Sequence, residues 1–505
     1  MPDLRPETVA RDVARNVALP PFSAGDRAFI VTTDGGTGRR SLRRRCDDHP
    51  SDMTTLAWVS ARSLARRELV VPRRELAAGA LGALLPLSVG LTDGGYFGRV
   101  DTPLTVAFGA VVGLAAVTGA VSRPSGAARV MLGLLGMLAA WTALSATWAV
   151  PGALVEHDAR RALLYAVAFG AVVTVVDVRR RVALLRGLVG GIGAIAIVAI
   201  AIRAGSGAVA DRFYGSLAEE PVGYPNALGA LMAIGVVLAT GLSLRAGSSR
   251  RALQGLTAVL VLVLGLTESR GAALALAVGL CALGWLGPSG ARARDALRAL
   301  LPVAVGGLGW LAVASTGTTG SRVVVGATAT FAAAACVPVL DRLWPRHAIA
   351  VLACGALIVA AALVAAHPVS TTSSFRTTYW VAALDAAREH PALGTGSGSF
   401  HLTWLDHGPD GMFVRDAHSL YVEALSELGP VGLVLVVTLV ALPVVTTVRR
   451  RGDPISAMAG AAFAVFAVHA GLDWDWEMPV VTLAALACAG VALAHRPSID
   501  SEEGS

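Results

Sequence analysis

Apolar residues in this chain come in long blocks. They show neither the alternation of a half-buried strand nor the narrow stripe of a soluble amphipathic helix. A membrane-spanning helix needs about 20 mostly apolar residues. Candidate runs lie near 75–92, 104–121, 129–149, 162–177, 182–202, 226–244, 252–267, 271–287, 299–316, 323–340, 348–366, 429–447, 456–472 and 478–494. The weakest are the Ala- and Thr-rich run at 323–340 and the short one at 456–472. The pattern predicts an all-α fold, a polytopic transmembrane helical bundle of about 12–14 spans.

Two segments interrupt the pattern. Residues 1–74 are polar, rich in Arg and Asp, and include Gly35-Gly36-Thr37-Gly38 and Arg43-Arg44-Arg45. With no signal-peptide pattern at their start, they read as a disordered basic cytoplasmic tail. A transmembrane domain at 75–495 and an acidic tail at 496–505 follow. The second interruption, 367–428, reads as one large helical loop. Helical spacing from Tyr379 to Ala387 predicts an amphipathic helix that Pro391 stops. Gly394 to Phe400 is a glycine-rich turn. It lacks the preceding strand and following lysine of a phosphate-binding loop. Asp416 to Gly429 predicts a second amphipathic helix running into the next span.

Composition sharpens this. Of 505 residues, 54% are hydrophobic and 15% charged, against about 25% charged in soluble domains. Mean hydropathy is +0.63. A soluble or disordered chain is excluded. The net charge of +7 comes from arginine alone, since lysine is absent. With abundant Ala, Gly and Val, that points to a GC-rich bacterial coding sequence. The arginines are spread along the chain, so they form no nucleic-acid stripe. Instead they set orientation. With the N-terminus inside, the inner loops carry Arg123 and Arg129, Arg179 to Arg181, Arg245, Arg250 and Arg251, Arg292, Arg294 and Arg298, Arg342 and Arg346, and Arg449 to Arg451. Both termini are then cytoplasmic, and the loop 367–428 is extracytoplasmic. Cys46, Cys281, Cys336, Cys354 and Cys488 form no CxxC pair. They read as small buried apolar residues, not disulfide or metal ligands.

That topology gathers the unusual residues on the outer face, where an ionisable residue at the membrane edge is a functional candidate. They are His157 to Arg161, the loop 203–225 ending in Tyr224-Pro225-Asn226, Glu268-Ser269-Arg270-Gly271 between two spans, the loop 367–428, and Asp473-Trp474-Asp475-Trp476-Glu477. Arg270, flanked by apolar runs, is placed to bind phosphate through its planar fork. The plainer alternative is an arginine snorkelling to headgroups. His418, beside the membrane, suits a general base near neutral pH. His367, His390, His401, His407 and His418 crowd the loop, but their spacing fits no zinc motif. Trp474 and Trp476 read as interface anchors.

Taken together, these motifs resemble the O-antigen ligase and O-antigen polymerase family of bacterial integral membrane proteins, from about residue 130 to 490. The similarity rests on Arg376 followed by Tyr379-Trp380, His390-Pro391-Ala392-Leu393-Gly394-Thr395-Gly396, Ala417-His418-Ser419 and Glu427-Leu428-Gly429. Trp141 to Trp148, Arg161 to Tyr165, Tyr224 to Leu228 and Ser269 to Ala272 add to it. The resemblance implies extracytoplasmic transfer of a glycan from undecaprenyl pyrophosphate to an acceptor hydroxyl of a glycan, lipid or protein. It implies a cytoplasmic-membrane location, no metal and no cofactor. By match to the motifs, Arg270 and Arg376 are pyrophosphate ligands, with Arg161 and Arg212 as further members of the cluster. His418 is the base of an inverting reaction. Asn226, Asp473 and Asp475 are substrate-site candidates, the aspartates orienting His418 or an acceptor hydroxyl.

A glycan-repeat polymerase of the same family shares this donor site. A lipid-linked sugar transporter or flippase should instead carry polar or helix-breaking residues at mid-membrane, where these runs are clean.

Overall fold

The computed structural model describes residues 73–119, 121–205, 217–247, 249–288, 293–316, 320–336, 375–407 and 413–494. The chain divides into Met1–Val70 and Val71–Ser505. The first unit, the acidic tail and the expected span at 348–366 lie outside the described residues.

Among the described residues all regular structure is helical. In chain order the helices are α1 (Arg73–Gly90), α2 (Asp101–Val117), α3 (Gly126–Leu144), α4 (Val155–Val175), α5 (Arg181–Gly205), α6 (Pro225–Arg245), α7 (Arg250–Leu266) and α8 (Arg270–Leu286). Then come α9 (Ala293–Thr316), α10 (Gly320–Ala335), α11 (Phe375–Glu389), α12 (Phe400–His407), α13 (Leu420–Arg449), α14 (Pro454–His469) and α15 (Pro479–Leu493). Each predicted run within the described residues is a helix. Four are long and apolar enough to cross a membrane: Gly126–Thr147, Arg181–Gly205, Pro225–Arg245 and Leu420–Arg449. Others, including α2, α8, α14 and α15, are shorter apolar helices.

Three details differ from the expectation. α4 starts at Val155, ahead of the predicted run at 162–177, so His157 and Arg161 at the start of this span stand on its first turns. α12 was not foreseen, because eight residues carry too little periodicity to register. Cys488 is buried, whereas Cys281 and Cys336 are exposed on the bundle's perimeter.

α6 is the axis, with 94% of its most apolar window buried. It packs against α5, α7, α8, α14 and α15. α1 and α5 cross through small residues. A Cβ on Gly187 would lie 1.9 Å from the Gly79 carbonyl oxygen, and one on Gly82 would lie 2.1 Å from that of Leu184. Such backbone-to-backbone approach is how helices associate where hydrophobic segregation gives no drive.

The polar side chains collect at the two ends. At one end, Arg181 pairs with Asp453 at 2.8 Å, and Arg450 donates to the carbonyls of Ala492 and Ala494 at the C-terminus of α15. The other end holds the α1–α2 loop, the starts of α4, α6 and α8, the α14–α15 loop and helices α11 to α13. There α13 breaks at Gly429 (φ 66°, ψ −169°), followed by Pro430. The Leu428 carbonyl is taken by Trp141 Nε1 at 3.0 Å. The break lets the segment before it turn onto α11.

Gly429→Ala tests that corner. Its Cβ would sit 2.7 Å from the Ala392 carbonyl oxygen, in a backbone region that glycine alone occupies readily. The expected destabilisation is about 1–3 kcal/mol, read as a lower unfolding midpoint in detergent. An unchanged midpoint would show that the break is dispensable.

Candidate functional site

The site is built around Asp473, which is fully buried. A carboxylate out of water needs donors, and four converge on it. Tyr224 Oη donates to Oδ1 at 2.9 Å, and the Trp474 backbone N–H to Oδ1 at 3.0 Å. Asn226 Nδ2 and Arg376 Nη2 both donate to Oδ2, at 2.7 and 2.6 Å. Burial, and then the charge of Asp473, push the Tyr224 hydroxyl well above its ordinary pKa, so it remains a donor. Arg376 stays 29% exposed, with part of its guanidinium open to an incoming group.

His418 stands beside this pair. Its ring stacks on Trp474 (centroids 5.0 Å, 12° between planes) and meets Tyr379 on the other side at 4.9 Å. Tyr379 lies one turn beyond Arg376 on α11, and Trp474 follows Asp473, so the ion pair and the imidazole share both walls. Nδ1 of His418 is 2.9 Å from the Asp416 carbonyl. A carbonyl only accepts, so Nδ1 carries the hydrogen, and Nε2 is the ring nitrogen left to face another group. The backbone here is left-handed, φ 56°, which costs about 1–2 kcal/mol outside glycine. Neighbouring contacts hold it. Ala417 N donates to Glu423 Oε2 at 2.6 Å, Leu420 N to the Ala470 carbonyl at 2.8 Å, and Asp416 Oδ2 accepts from Tyr96 Oη at 2.8 Å.

The structure therefore unites His418, Arg376, Asn226 and Asp473. It corrects the expectation that Asp473 or Asp475 orients His418. Asp473 is engaged with Arg376, Asn226 and Tyr224, Asp475 lies 2.6 Å from His469 Nδ1, and the Asp416 carbonyl takes the orienting position. Trp474 is also not an interface anchor, since its ring is boxed by Tyr96, Tyr224 and His418. Trp476 packs edge-on to Tyr165.

Arg161 belongs to a second, deeper cluster, which corrects its reading as a direct phosphate ligand. Its side chain is 2% exposed and lies 3.6 Å from Asp158. Arg161 and Arg415 both reach His157 Nδ1, at 3.0 and 3.2 Å. Arg415 also lies over the Tyr96 ring at 4.7 Å. Burial pushes the Asp416 carboxyl up, and Arg415 and Arg161 oppose it. Arg212 lies outside the described residues. Arg270 is exposed on the first turn of α8, whose start is capped by Ser269 Oγ accepting from Ala272 N at 3.2 Å. Among the described residues no three His, Cys, Asp or Glu side chains are placed to hold a metal ion.

Tyr96 and Arg415 were not foreseen as site residues, and Tyr224 and Tyr379 stood in the motifs of the resemblance without a role of their own. Arg415 carried a signal, being a cation three residues before His418. Tyr96 carried none, because ring contacts between distant segments leave no local pattern.

The glycine-rich turn cradles a carboxyl group, and one of the chain's own. Gly398 N and Phe400 N donate to the two oxygens of Glu427, each at 2.8 Å. Gly396 N donates to the Glu427 carbonyl and Thr395 N to that of Ser426. Glu427→Ala should leave two buried donors unmet, at about 1–3 kcal/mol each. The measurement is the unfolding midpoint of purified protein, and no change would show that the turn holds without this carboxylate.

A search of curated proteins found no match. A scan of family models matched residues 255–437 to the O-antigen ligase family. The matched stretch contains Arg270, Arg376 and His418, while Asn226 and Asp473 lie outside it. Together with its apolar helices, this makes the chain an integral membrane protein that carries an O-antigen ligase family domain across residues 255–437.

Proposed function

We propose that the chain transfers a glycan from an undecaprenyl-pyrophosphate carrier to an acceptor hydroxyl on the outer face of the bacterial cytoplasmic membrane, without a metal. The observation that carries this reading is the placing of His418. Its Nδ1 is held by a carbonyl, and its ring is clamped between Trp474 and Tyr379 beside the Arg376–Asp473 pair. The imidazole is half-buried, so a hydroxyl can reach it from the open side.

In this reaction Nε2 of His418 takes the acceptor's proton as its oxygen attacks the anomeric carbon. The new carbon–oxygen bond forms on the face opposite the bond to the carrier, so the configuration inverts. The anomeric carbon–oxygen bond breaks, and its electron pair leaves with the lipid pyrophosphate. Charge develops on that leaving group, where Arg376 and Arg270 stabilise it. Arg161 acts through position, tying His157 and Asp158 beneath the loop that bears His418. Asn226 and Tyr224 keep Asp473, and through it Arg376, in place.

Transfer should fall by about 10²–10⁴-fold in His418→Ala, the usual worth of a positioned base, with membrane abundance unchanged. Retained activity would refute the base. Arg270→Lys keeps the charge but loses the bidentate fork, and donor binding should weaken.

A glycan-repeat polymerase uses the same donor chemistry. The two separate by analysis of lipid-linked glycans after gene deletion. Full-length lipid-linked chains should accumulate if the protein is a ligase, and single short units if it is a polymerase.

A further inference from the structure

The buried pair His469–Asp475 lies under this centre, not in it. His469 ends α14 and Asp475 sits in the α14–α15 loop. Both side chains are 0% exposed, with Nδ1 to Oδ2 at 2.6 Å. An isolated apolar contact would fill that volume without the desolvation that two ionisable groups incur. The surroundings supply a reason for the pair. Ala470, next to His469, accepts from Leu420 N at 2.8 Å, two residues beyond His418. Asp475 is two residues from Asp473, and its own carbonyl accepts from Thr482 Oγ1 at 2.7 Å.

The far edge of the ring points elsewhere. His469 Nε2 has no hydrogen-bond partner among the described residues. It lies 3.2 Å from the position a Cβ would take on Gly271, and Cδ2 lies 3.3 Å from it. Gly271 directly follows Arg270 on the first turn of α8. A Cβ at this position would meet the ring edge more tightly than ordinary contact, and glycine leaves that space to the ring. The Asp475 carboxylate fixes the ring's rotation, which an apolar side chain of similar size would lack.

We propose that His469, oriented by Asp475, is a positioning residue: it sets the first turn of α8 and so aims Arg270 at the donor pyrophosphate beside His418. The inference rests on the reading of Arg270 as a phosphate ligand.

The test is a double-mutant cycle on binding of undecaprenyl pyrophosphate to the purified full chain. His469→Asn keeps a donor near the Nδ1 position for Asp475 and removes the edge that meets Gly271. Gly271→Ala leaves the buried pair intact and pushes on that edge. Each should weaken binding about tenfold. The double variant should be no weaker than either single one, because the Cβ no longer meets a ring. In the Arg270→Lys background, His469→Asn should add less than about twofold. Unchanged binding in Gly271→Ala, or losses that multiply in the cycle, would overturn the proposal. Should His469→Asn fail to accumulate, the Gly271→Ala result decides it alone. Full binding by Arg270→Lys would instead refute the phosphate reading of Arg270, a distinct result from either.

Discussion

The site end of this bundle depends on one buried carboxylate. Asp473 has no exposed surface, and it is met by Arg376, Asn226, Tyr224 and the Trp474 backbone. These donors come from α11, the start of α6, the segment before α6 and the α14–α15 loop. Removing one partner of a buried pair commonly costs about 3–5 kcal/mol. Each segment is therefore held where the carboxylate needs it. The same carboxylate fixes Trp474, whose ring is one wall of His418. A single desolvated charge thereby ties three separate stretches of chain, α11, residues 224–226 and the α14–α15 loop, into one wall.

A membrane-embedded bundle has few other means to do this. Its interior is apolar throughout, and helices such as α1 and α5 associate by close packing of glycines. Packing of that kind sets distances between axes but not the side-chain geometry at a helix end. At the opposite end the same device recurs in simpler form, with Arg181 on Asp453 and Arg450 on the last carbonyls of α15. There the arginines close helix ends. At the site end they meet carboxylates, a histidine and a tyrosine ring, Arg161 with Asp158 and His157, Arg415 with His157 and Tyr96, and Arg376 with Asp473.

Most of the fold was legible because the apolar blocks are long and the glycine and proline signals between them are local. The amphipathic α11 could be read in the same way, but the break at Gly429 could not: that segment was expected to run on into the next span. His418 and Arg376 were legible by resemblance to a family loop. Asn226 and Asp473 were picked out as candidates, yet their pairing was invisible: 247 residues separate them, and nothing in either neighbourhood encodes the other. The burial of Arg161 was hidden for a related reason. Its position after a polar loop looks exposed until α4 is seen to begin six residues earlier. The glycine-rich turn read as a simple tight turn. That its backbone also holds the Glu427 carboxyl could only be known once α13 was folded back against it.

The pairing of Arg376 with Asp473 also bears on the proposed chemistry. An arginine waiting alone at a membrane edge would be free to reorient, or to hold any phosphate headgroup that drifted by. With Nη2 engaged by a buried carboxylate, its plane is set before the donor arrives, and its net attraction for a stray monoanion is reduced. A pyrophosphate carries more charge, and in the proposed reaction Arg270 serves it as a second cation. The resting ion pair thus trades raw attraction for orientation, and orientation is what transition-state stabilisation requires. It also keeps an unpaired cation away from His418, which in the proposed reaction accepts a proton. A base and a cationic clamp can share one wall because the carboxylate stands with the clamp and not with the base.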